Sequence, residues 1–342
     1  MHDAIANLPD AYYRMVPELL ELDLPGEERI DCANCRMVGP RWNKTEGLSH
    51  FHPETRCCTY WPRLDNFLVG RLLREGGTGE RLMLERLAHG KGIEAWGIDS
   101  SKAWEKGYDK MSGEFGQRLD LKCPYYVGGE FSCGIWANRI SVCRTWFCAH
   151  DAGKRGERLW KKTKKMLLKI EIQLQAWCIR TGSPPPEDAE PAEFEAWYRW
   201  CADAVDWITD EELAELRSEK IEKHLDAIEV LSLDQEVHLP EGQLLPNVGD
   251  FHRNQGTVVL EGYSPYDNVE TTYGIFAFIS RLDGRPWRQA LAEANAELDE
   301  PLTEDLIREL LRIEALTPEY QRSDMIMQVD HILLGPDHDP DD

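Results

Sequence analysis

The segment 133–148, CGIWANRISVCRTWFC, contains three cysteines within sixteen residues. Two arginines and two tryptophans lie between these cysteines. Thiols at such spacing can join in disulfides, bind a metal or act as nucleophiles. The fold of this part of the chain depends on which of these three chemistries applies.

The composition is that of a long, acidic chain, with 342 residues and a formal net charge of −23. This length is sufficient for two domains and for a core that needs no disulfides. The negative charge argues against non-specific binding to nucleic acid or to an anionic membrane surface. The sequence contains neither a secretory signal pattern nor an apolar run of about 18 residues, which a membrane span requires. We therefore expect a cytoplasmic protein, in which cysteines are more often metal ligands, catalytic thiols or core residues than disulfides.

The cysteines are concentrated in the first half of the chain. Only Cys178 and Cys201 lie beyond residue 148, and their helical, apolar surroundings predict that they are core residues. A C-x2-C turn can present two thiolates to one metal centre, as in zinc and iron–sulfur sites. We therefore predict an iron–sulfur cluster, or alternatively zinc, in one or two sites. The predicted ligands are Cys32, Cys35, Cys57, Cys58, Cys123, Cys133, Cys143 and Cys148.

The cysteine pattern resembles that of the YkgJ-type family, which is named for a CxxCxxCC motif and described as a zinc- or iron-chelating domain. The later block of that family reads C-x-I-[YW]-x-x-R-P-x-x-C-R-x-[FWY]-x-C. The segment 133–148 follows this block, with Ile140 in place of the proline. The chain departs from the family where 21 residues, 36–56, separate CANC from the CC pair. The resemblance covers residues 28–180.

The resemblance implies a bound iron–sulfur cluster or zinc. It also implies roles for Arg139 and Arg144, which lie at family positions among the thiolates. We expect both guanidinium groups to offset the charge of the thiolates and to raise the potential of a cluster. The alternative is an ordinary ion pair that only stabilises the fold. His50, His52 and His150 lie near cysteines and are alternative ligands or proton carriers, although loop histidines are more often merely solvated. The related flagellin lysine N-methylases make an enzyme conceivable, but no glycine-rich fingerprint for a methyl donor follows a strand.

The remainder of the chain shows helical and then mixed patterns. Helices are predicted around 157–180, 192–208 and 211–231, with a proline-rich acidic linker at 181–191. Short strands are predicted at 256–263 and 271–280, followed by helices at 287–298 and 303–316. This last region resembles the winged helix of PqqD-type domains, which implies peptide binding by strand addition. Its eight acidic residues against four arginines in 285–316 argue against DNA. The alternative is a packing domain without a ligand.

Together these patterns predict an α+β chain. The predicted organisation is an N-terminal segment at 1–27, a mainly helical, loop-rich metal-binding domain at 28–182, linker and helices at 183–240, a winged-helix-like domain at 241–320 and an acidic tail at 321–342. The function expected first is a redox or modifying enzyme that uses its metal centre on a peptide or protein. The alternative is a non-catalytic interaction protein with structural zinc, so the sequence leaves open whether the protein is an enzyme.

Overall fold

The chain forms two compact units of helices and strands, so the fold is α+β. Unit 1 comprises Met1–Phe147 and Gly156–Asp234, and unit 2 comprises Cys148–Arg155 and Gln235–Asp342. The computed structural model describes residues 4–22, 24–27, 35, 37–38, 51–111, 114–127, 132–233, 236–254 and 256–318.

Unit 1 is mainly helical. Its helices are α1 (Asp10–Met15), α2 (Asn66–Glu75), α3 (Gly77–His89), α4 (Lys102–Met111), α5 (Ser141–Arg144), α6 (Gly153–Thr181, whose first residues belong to unit 2), α7 (Pro191–Trp207), α8 (Asp210–Leu216) and α9 (Glu219–Ser232). Its strands are β1 (Leu64–Asp65), β2 (Ile93–Glu94), β3 (Gly97–Ile98), β4 (Tyr126–Val127) and β5 (Ser132–Cys133). The first three strands form an antiparallel sheet in the order β1-β3-β2, and the other two form a hairpin.

The amphipathic pattern predicted around 157–180 is confirmed as α6. Leu167, Ile170 and Leu174 recur at helical spacing and are fully buried in the core of unit 1. At 29 residues this helix is long enough to cross a bilayer, but its polar face is rich in lysine and arginine. No helix in the described part of the chain combines the length and the apolarity of a membrane span.

Helices α2 and α7 approach each other closely at Gly70. A β-carbon at this position would lie 1.8 Å from the carbonyl oxygen of Tyr198, so only glycine fits between the two backbones. The stripe of α7 predicted from the sequence, which includes Phe194, Trp197 and Cys201, is buried in the same core. The helices of the predicted linker region 183–240 therefore belong to unit 1 rather than to a separate segment.

The helical pattern at 211–231 was expected to form one helix and instead forms α8 and α9. The break lies at Arg217, which leaves the helical conformation with φ −71° and ψ 97°. Its guanidinium forms ion pairs with Glu18 at 2.8 Å and with Glu222. These ion pairs lie at the break, and Ser218 is the residue that precedes the first turn of α9.

Unit 2 combines a small sheet with short helices. Its strands are β6 (Leu244–Pro246), β7 (Asp250–Asn254), β8 (Thr257–Ser264), β9 (Asp267–Thr272) and β10 (Leu316–Pro318), and its helices are α10 (Ile275–Ile279), α11 (Trp287–Asn295) and α12 (Glu304–Arg312). The sheet order is β7-β8-β9, and all pairs are antiparallel, including β6 with β10.

The strand predicted at 271–280 is wrong. The strand β9 ends at Thr272, and the apolar run that follows forms the short helix α10. Ile275 and Phe278 are three residues apart, so a helical turn buries both on one side, whereas a strand would place them on opposite faces. The helices predicted at 287–298 and 303–316 are confirmed as α11 and α12. The predicted acidic tail at 321–342 lies outside the described residues.

Candidate metal centre

Four cysteines of unit 1, Cys58, Cys123, Cys133 and Cys143, form a group that we call the thiol cluster. Burial raises the pKa of Cys123, and the neighbouring thiols of the other three raise it further. Thiols influence one another in this way only when they lie close together in a medium of low dielectric constant. The fold therefore brings together cysteines from three separate segments of the chain.

Backbone hydrogen bonds position these segments. The amide of Cys123 donates to the carbonyl of Cys58 at 2.9 Å, which joins the CC pair to the start of the β4–β5 hairpin. In that hairpin Tyr126 pairs with Cys133. Cys143 lies in α5, where its amide donates to the carbonyl of Ile140 at 3.0 Å. The cysteines thus lie in loops, on β5 and on α5, and local and long-range backbone bonds fix the segments that carry them.

Two of the sulfurs accept hydrogen bonds from the backbone. The amide of Tyr125 donates to Cys123, and the amide of Ile135 donates to Cys133; both bonds lower the pKa of the acceptor thiol. In each case the donor lies two residues after the cysteine. Amide bonds to sulfur stabilise the thiolate, and such bonds tune iron–sulfur centres.

The pKa values of the thiols in the cluster shift in different directions. A hydrogen bond from Cys57 lowers the pKa of Cys58 and outweighs its burial, with Arg139 and Arg56 lowering it further. Burial raises the pKa of Cys143 to about 12, and the neighbouring thiols add to this effect while Arg139 opposes it. Cys58 is therefore the thiol most ready to bind a metal, and binding would have to displace the proton of Cys143.

Arg139 is the cation that faces the thiol cluster. Its positive charge lowers the pKa of Cys58, Cys133 and Cys143. Its guanidinium lies over the ring of Trp136, 3.5 Å from the ring centroid, and 52% of Trp136 is exposed. Arg139 thus has the position that charge compensation requires, and its role towards a cofactor stays a prediction.

Arg144 makes a different set of contacts from those expected of a cofactor residue. Its buried guanidinium donates to three backbone carbonyls: that of Arg139 at 2.7 Å, that of Ala6 at 3.3 Å and that of Ala137. These bonds fix the loop that carries Arg139. The described contacts of Arg144 therefore support a positioning role, in which it acts on the thiol cluster through Arg139.

The other predicted residues of unit 1 lie beside the thiol cluster or outside the described part. Burial raises the pKa of Tyr126, and the thiols of Cys58, Cys57 and Cys35 add to this effect, so Cys35 and Cys57 border the group. The imidazole of His52 accepts a hydrogen bond from the amide of Glu54 at 3.2 Å. Cys32 and His50 lie outside the described residues.

Cys148 and His150 belong to unit 2, so the cysteines of the segment 133–148 are divided between the two units. In unit 2 the Nδ1 atom of His150 lies 2.9 Å from the hydroxyl of Tyr263. The backbone amide of His150 donates to the carboxylate of Asp267 at 3.2 Å, and Arg312 forms a buried ion pair with the same carboxylate at 2.6 Å. These contacts place His150 in a buried polar network.

The spacing of the sulfurs bears on the kind of metal. Among the described cysteines, no three sulfur atoms lie within 4.8 Å of one another. Tetrahedral zinc with Zn–S bonds of about 2.3 Å would place its sulfurs about 3.8 Å apart. A four-iron cluster binds its cysteines through separate irons, so its ligand sulfurs lie farther apart than those of a single ion.

Sequence reasoning missed Glu171, a fully buried acid of α6 behind the thiol cluster. Its carboxylate accepts bonds from the amide and the hydroxyl of Ser141, at 2.8 and 2.7 Å, and so holds the first turn of α5, which carries Cys143. Burial raises the pKa of Glu171, and the nearby carboxylate of Asp65 raises it further. The sequence signal that Glu171 is buried was its position on the apolar face of α6, four residues after Leu167.

Comparison of this chain with protein family models, with curated proteins and with solved structures finds no match. The resemblance of the cysteine pattern to the YkgJ-type family therefore rests on the residues quoted above, and membership of that family stays a prediction.

Proposed function

We propose that the protein binds an iron–sulfur cluster and that Cys58, Cys123, Cys133 and Cys143 are the ligands. The observation that carries this proposal is the placement of four cysteines at the core of unit 1: Cys123 is part of that core, the other three pack against it, and the amide of Cys123 bonds to the carbonyl of Cys58. Thiolates are soft ligands, and a set of four of them favours iron–sulfur clusters or zinc.

The spacing and the surroundings of the sulfurs support a cluster over a single zinc ion. No three sulfurs of the described cysteines lie within 4.8 Å of one another, whereas tetrahedral zinc would place them about 3.8 Å apart. Three of the four cysteines pack against the hydrophobic core of unit 1, and Cys123 is part of it. A dry environment protects a cluster from solvent and lets nearby charges such as that of Arg139 set its potential.

A cluster bound at these thiols would supply one-electron transfer. The chain's own residues would keep the centre dry, donate amide bonds to two of its sulfurs and place a guanidinium beside it. The exposed ring of Trp136, stacked on Arg139, marks the surface nearest to that charge. We therefore propose a redox role, with Trp136 at the position where an electron-transfer partner approaches.

The partner proposed for unit 2 is a peptide. In the described sheet, β7 and β9 each have a strand on one side only, so an extended peptide could add to either edge. A peptide or protein would then be the substrate of the redox or modifying reaction.

The deciding experiment is anaerobic purification of the full-length chain with analysis of iron, acid-labile sulfide and zinc. The proposal predicts iron and sulfide in equal amounts and a broad visible absorbance that bleaches on reduction. A colourless protein with one zinc ion per chain in a closed four-sulfur site would contradict the cluster and establish the structural alternative. Absence of both metals after anaerobic isolation would contradict metal binding itself.

A further inference from the structure

Unit 2 contains a row of three oxygen-bearing side chains across its sheet. Asp250 of β7 is the cross-strand partner of Glu261 of β8, which is in turn the partner of Asn268 of β9. Directly paired residues of an antiparallel sheet share one face, and neighbours along a strand alternate between faces. The row therefore lies on the face opposite to Val258 and Leu260, which pack into the core of the unit.

A histidine joins this row. His252 lies two residues after Asp250 and so shares its face. The Nε2 atom of His252 is 2.8 Å from an oxygen of Glu261 and 3.8 Å from an oxygen of Asp250, and the three donor atoms all lie within 4.8 Å of one another. Donors bound at about 2.0–2.2 Å to one tetrahedral ion are roughly 3.3–3.6 Å apart, so the observed distances bracket the required spacing.

The row places two carboxylates side by side. Like charges directly opposite each other on adjacent strands destabilise a sheet, and Asp250 faces Glu261 in this way. Only 7% of Glu261 is exposed, so water screens this repulsion poorly on its side. Protonated His252 would neutralise one of the two carboxylates, whereas a divalent cation would neutralise both.

Asn268 provides an independent observation. Only 6% of Asn268 is exposed, and its Nδ2 donates a hydrogen bond to the carbonyl of Pro265 at 3.2 Å. Its Oδ1 accepts no hydrogen bond from any residue that the structure describes. Burying such an oxygen without a partner is unfavourable. An amide oxygen is a hard ligand, and this one belongs to the residue paired with Glu261.

We propose that unit 2 has a divalent-cation site formed by Asp250, His252, Glu261 and Asn268. One imidazole nitrogen with carboxylate and amide oxygens suits a cation such as Mn²⁺, Fe²⁺ or Zn²⁺, unlike the sulfur ligands of the thiol cluster. This site is independent of the proposed iron–sulfur function, because it shares no residue with the thiol cluster. It links three strands of the sheet through their side chains.

The test is titration of the full-length chain with Mn²⁺, followed by electron paramagnetic resonance of the free ion. Mn²⁺ is the suitable probe because thiolates are poor ligands for it, so the thiol cluster does not compete. We expect one bound ion per chain, and we expect Glu261→Gln to weaken binding at least tenfold. Asp250→Asn, at an exposed position, should weaken it severalfold and should fold normally, so it decides the matter if Glu261→Gln does not fold.

Glu270→Gln is the matched control. Glu270 lies on β9 opposite Val259, on the same face as the site, and its carboxylate accepts a bond from Thr257 at 2.7 Å. This substitution removes one negative charge from the face without removing a proposed ligand, so Mn²⁺ affinity should stay within about twofold of the wild type. Absence of Mn²⁺ binding in the wild type, or equal weakening by the Glu261 and Glu270 substitutions, would overturn the proposal.

Discussion

The thiol cluster and the helical cysteines, Cys178 and Cys201, all belong to the core of unit 1 or pack against it, yet their surroundings differ. Cys178 donates to the carbonyl of Cys201 at 3.8 Å, and both side chains lie between packed helices. Burial raises the pKa of Cys201 and the thiol of Cys178 raises it further, with no cation among the causes. In the thiol cluster, Arg139 and Arg56 oppose the effect of burial at Cys58.

The difference shows that burial alone does not identify a metal ligand. The helical thiols are held as neutral core side chains, because their helix backbones have no free amides to offer to sulfur. In the thiol cluster, the sulfurs of Cys123 and Cys133 accept hydrogen bonds from backbone amides two residues along the chain. Backbone donors and a nearby guanidinium thus distinguish the thiol cluster from the helical pair.

The largest effect expected is that of Cys143→Ser. Loss of one ligand should remove the metal and lower the free energy of unfolding by roughly 3 kcal/mol or more, since metal binding is coupled to folding. Metal analysis and chemical denaturation measure both quantities. Cys201→Ala is the control and should retain the full metal content at a cost of about 1–2 kcal/mol. Equal metal loss in the two variants would abolish the distinction between the two groups of cysteines.

A smaller effect is expected from a substitution that pushes α7, the helix that carries Cys201, away from α2 and leaves every thiol unchanged. Gly70→Ala would drive a β-carbon to 1.8 Å from the backbone of Tyr198, which should lower the free energy of unfolding by about 3 kcal/mol. Denaturation measures this loss, and the metal content of the folded protein should not change. Gly107→Ala on α4 is the control, because the nearest atom to its new β-carbon is 3.5 Å away. A metal-depleted folded state would show that the α2–α7 contact also supports the thiol cluster.

The next effect concerns pH and Glu171. The pKa of this acid is raised from its ordinary value of 4.5 to about 8, so the folded state holds the proton more tightly than the unfolded state. Its contribution to stability is therefore complete below pH 4.5 and is lost as the pH rises towards 8. Glu171→Gln should remove this slope, worth roughly 1–3 kcal/mol between pH 5 and 8.

Denaturation midpoints over that pH range measure the slope for Glu171. Glu85→Gln is the control, because Glu85 is exposed and pairs with Arg81 at 2.9 Å on the same helix. Its curve should run parallel to that of the wild type. If the Glu171→Gln curve also ran parallel to the wild type, the buried acid would not be protonated in the folded protein.

The smallest effect expected is that of Arg139→Gln. Removal of the guanidinium should leave the metal bound but shift the midpoint potential of the proposed cluster to a more negative value, by roughly 60 mV or less for a one-electron couple. Redox titration followed by visible absorbance measures the shift. Arg74→Gln, which breaks surface pairs with Asp203 and Asp206, should leave the potential unchanged. Identical potentials in wild type and Arg139→Gln would place the guanidinium outside the field of the centre.

Much of the helical fold was predictable, because periodic apolar patterns are local. The buried stripes of α6, α7 and α12 follow directly from helical spacing. The run at 271–280 was not, because its β-branched and aromatic residues favour a strand by propensity. Burial of Ile275 and Phe278 on one side decided the conformation instead.

The candidate site was predictable only in its residue types. The sequence predicted eight cysteine ligands, among them Cys58, Cys123, Cys133 and Cys143, but it did not show which of the eight lie together. The bond between the amide of Cys123 and the carbonyl of Cys58 depends on a tertiary contact, which no local pattern reports. The division of the segment 133–148 between two units was also invisible, because no change of composition marks it.

That division has a consequence for synthesis on the ribosome. Residues 148–155 belong to unit 2, where the amide of His150 bonds to Asp267, 117 residues later, and its carbonyl accepts a bond from Arg312, 162 residues later. At about 5–20 residues per second, translation of the 162 residues from His150 to Arg312 takes roughly 8–32 seconds. Unit 1 is fully synthesised at residue 234, before either partner of His150 emerges. Cys148, the last cysteine of the motif, lies in this stretch. The stretch therefore completes its native bonding only after every proposed ligand of the thiol cluster has been synthesised and can bind metal.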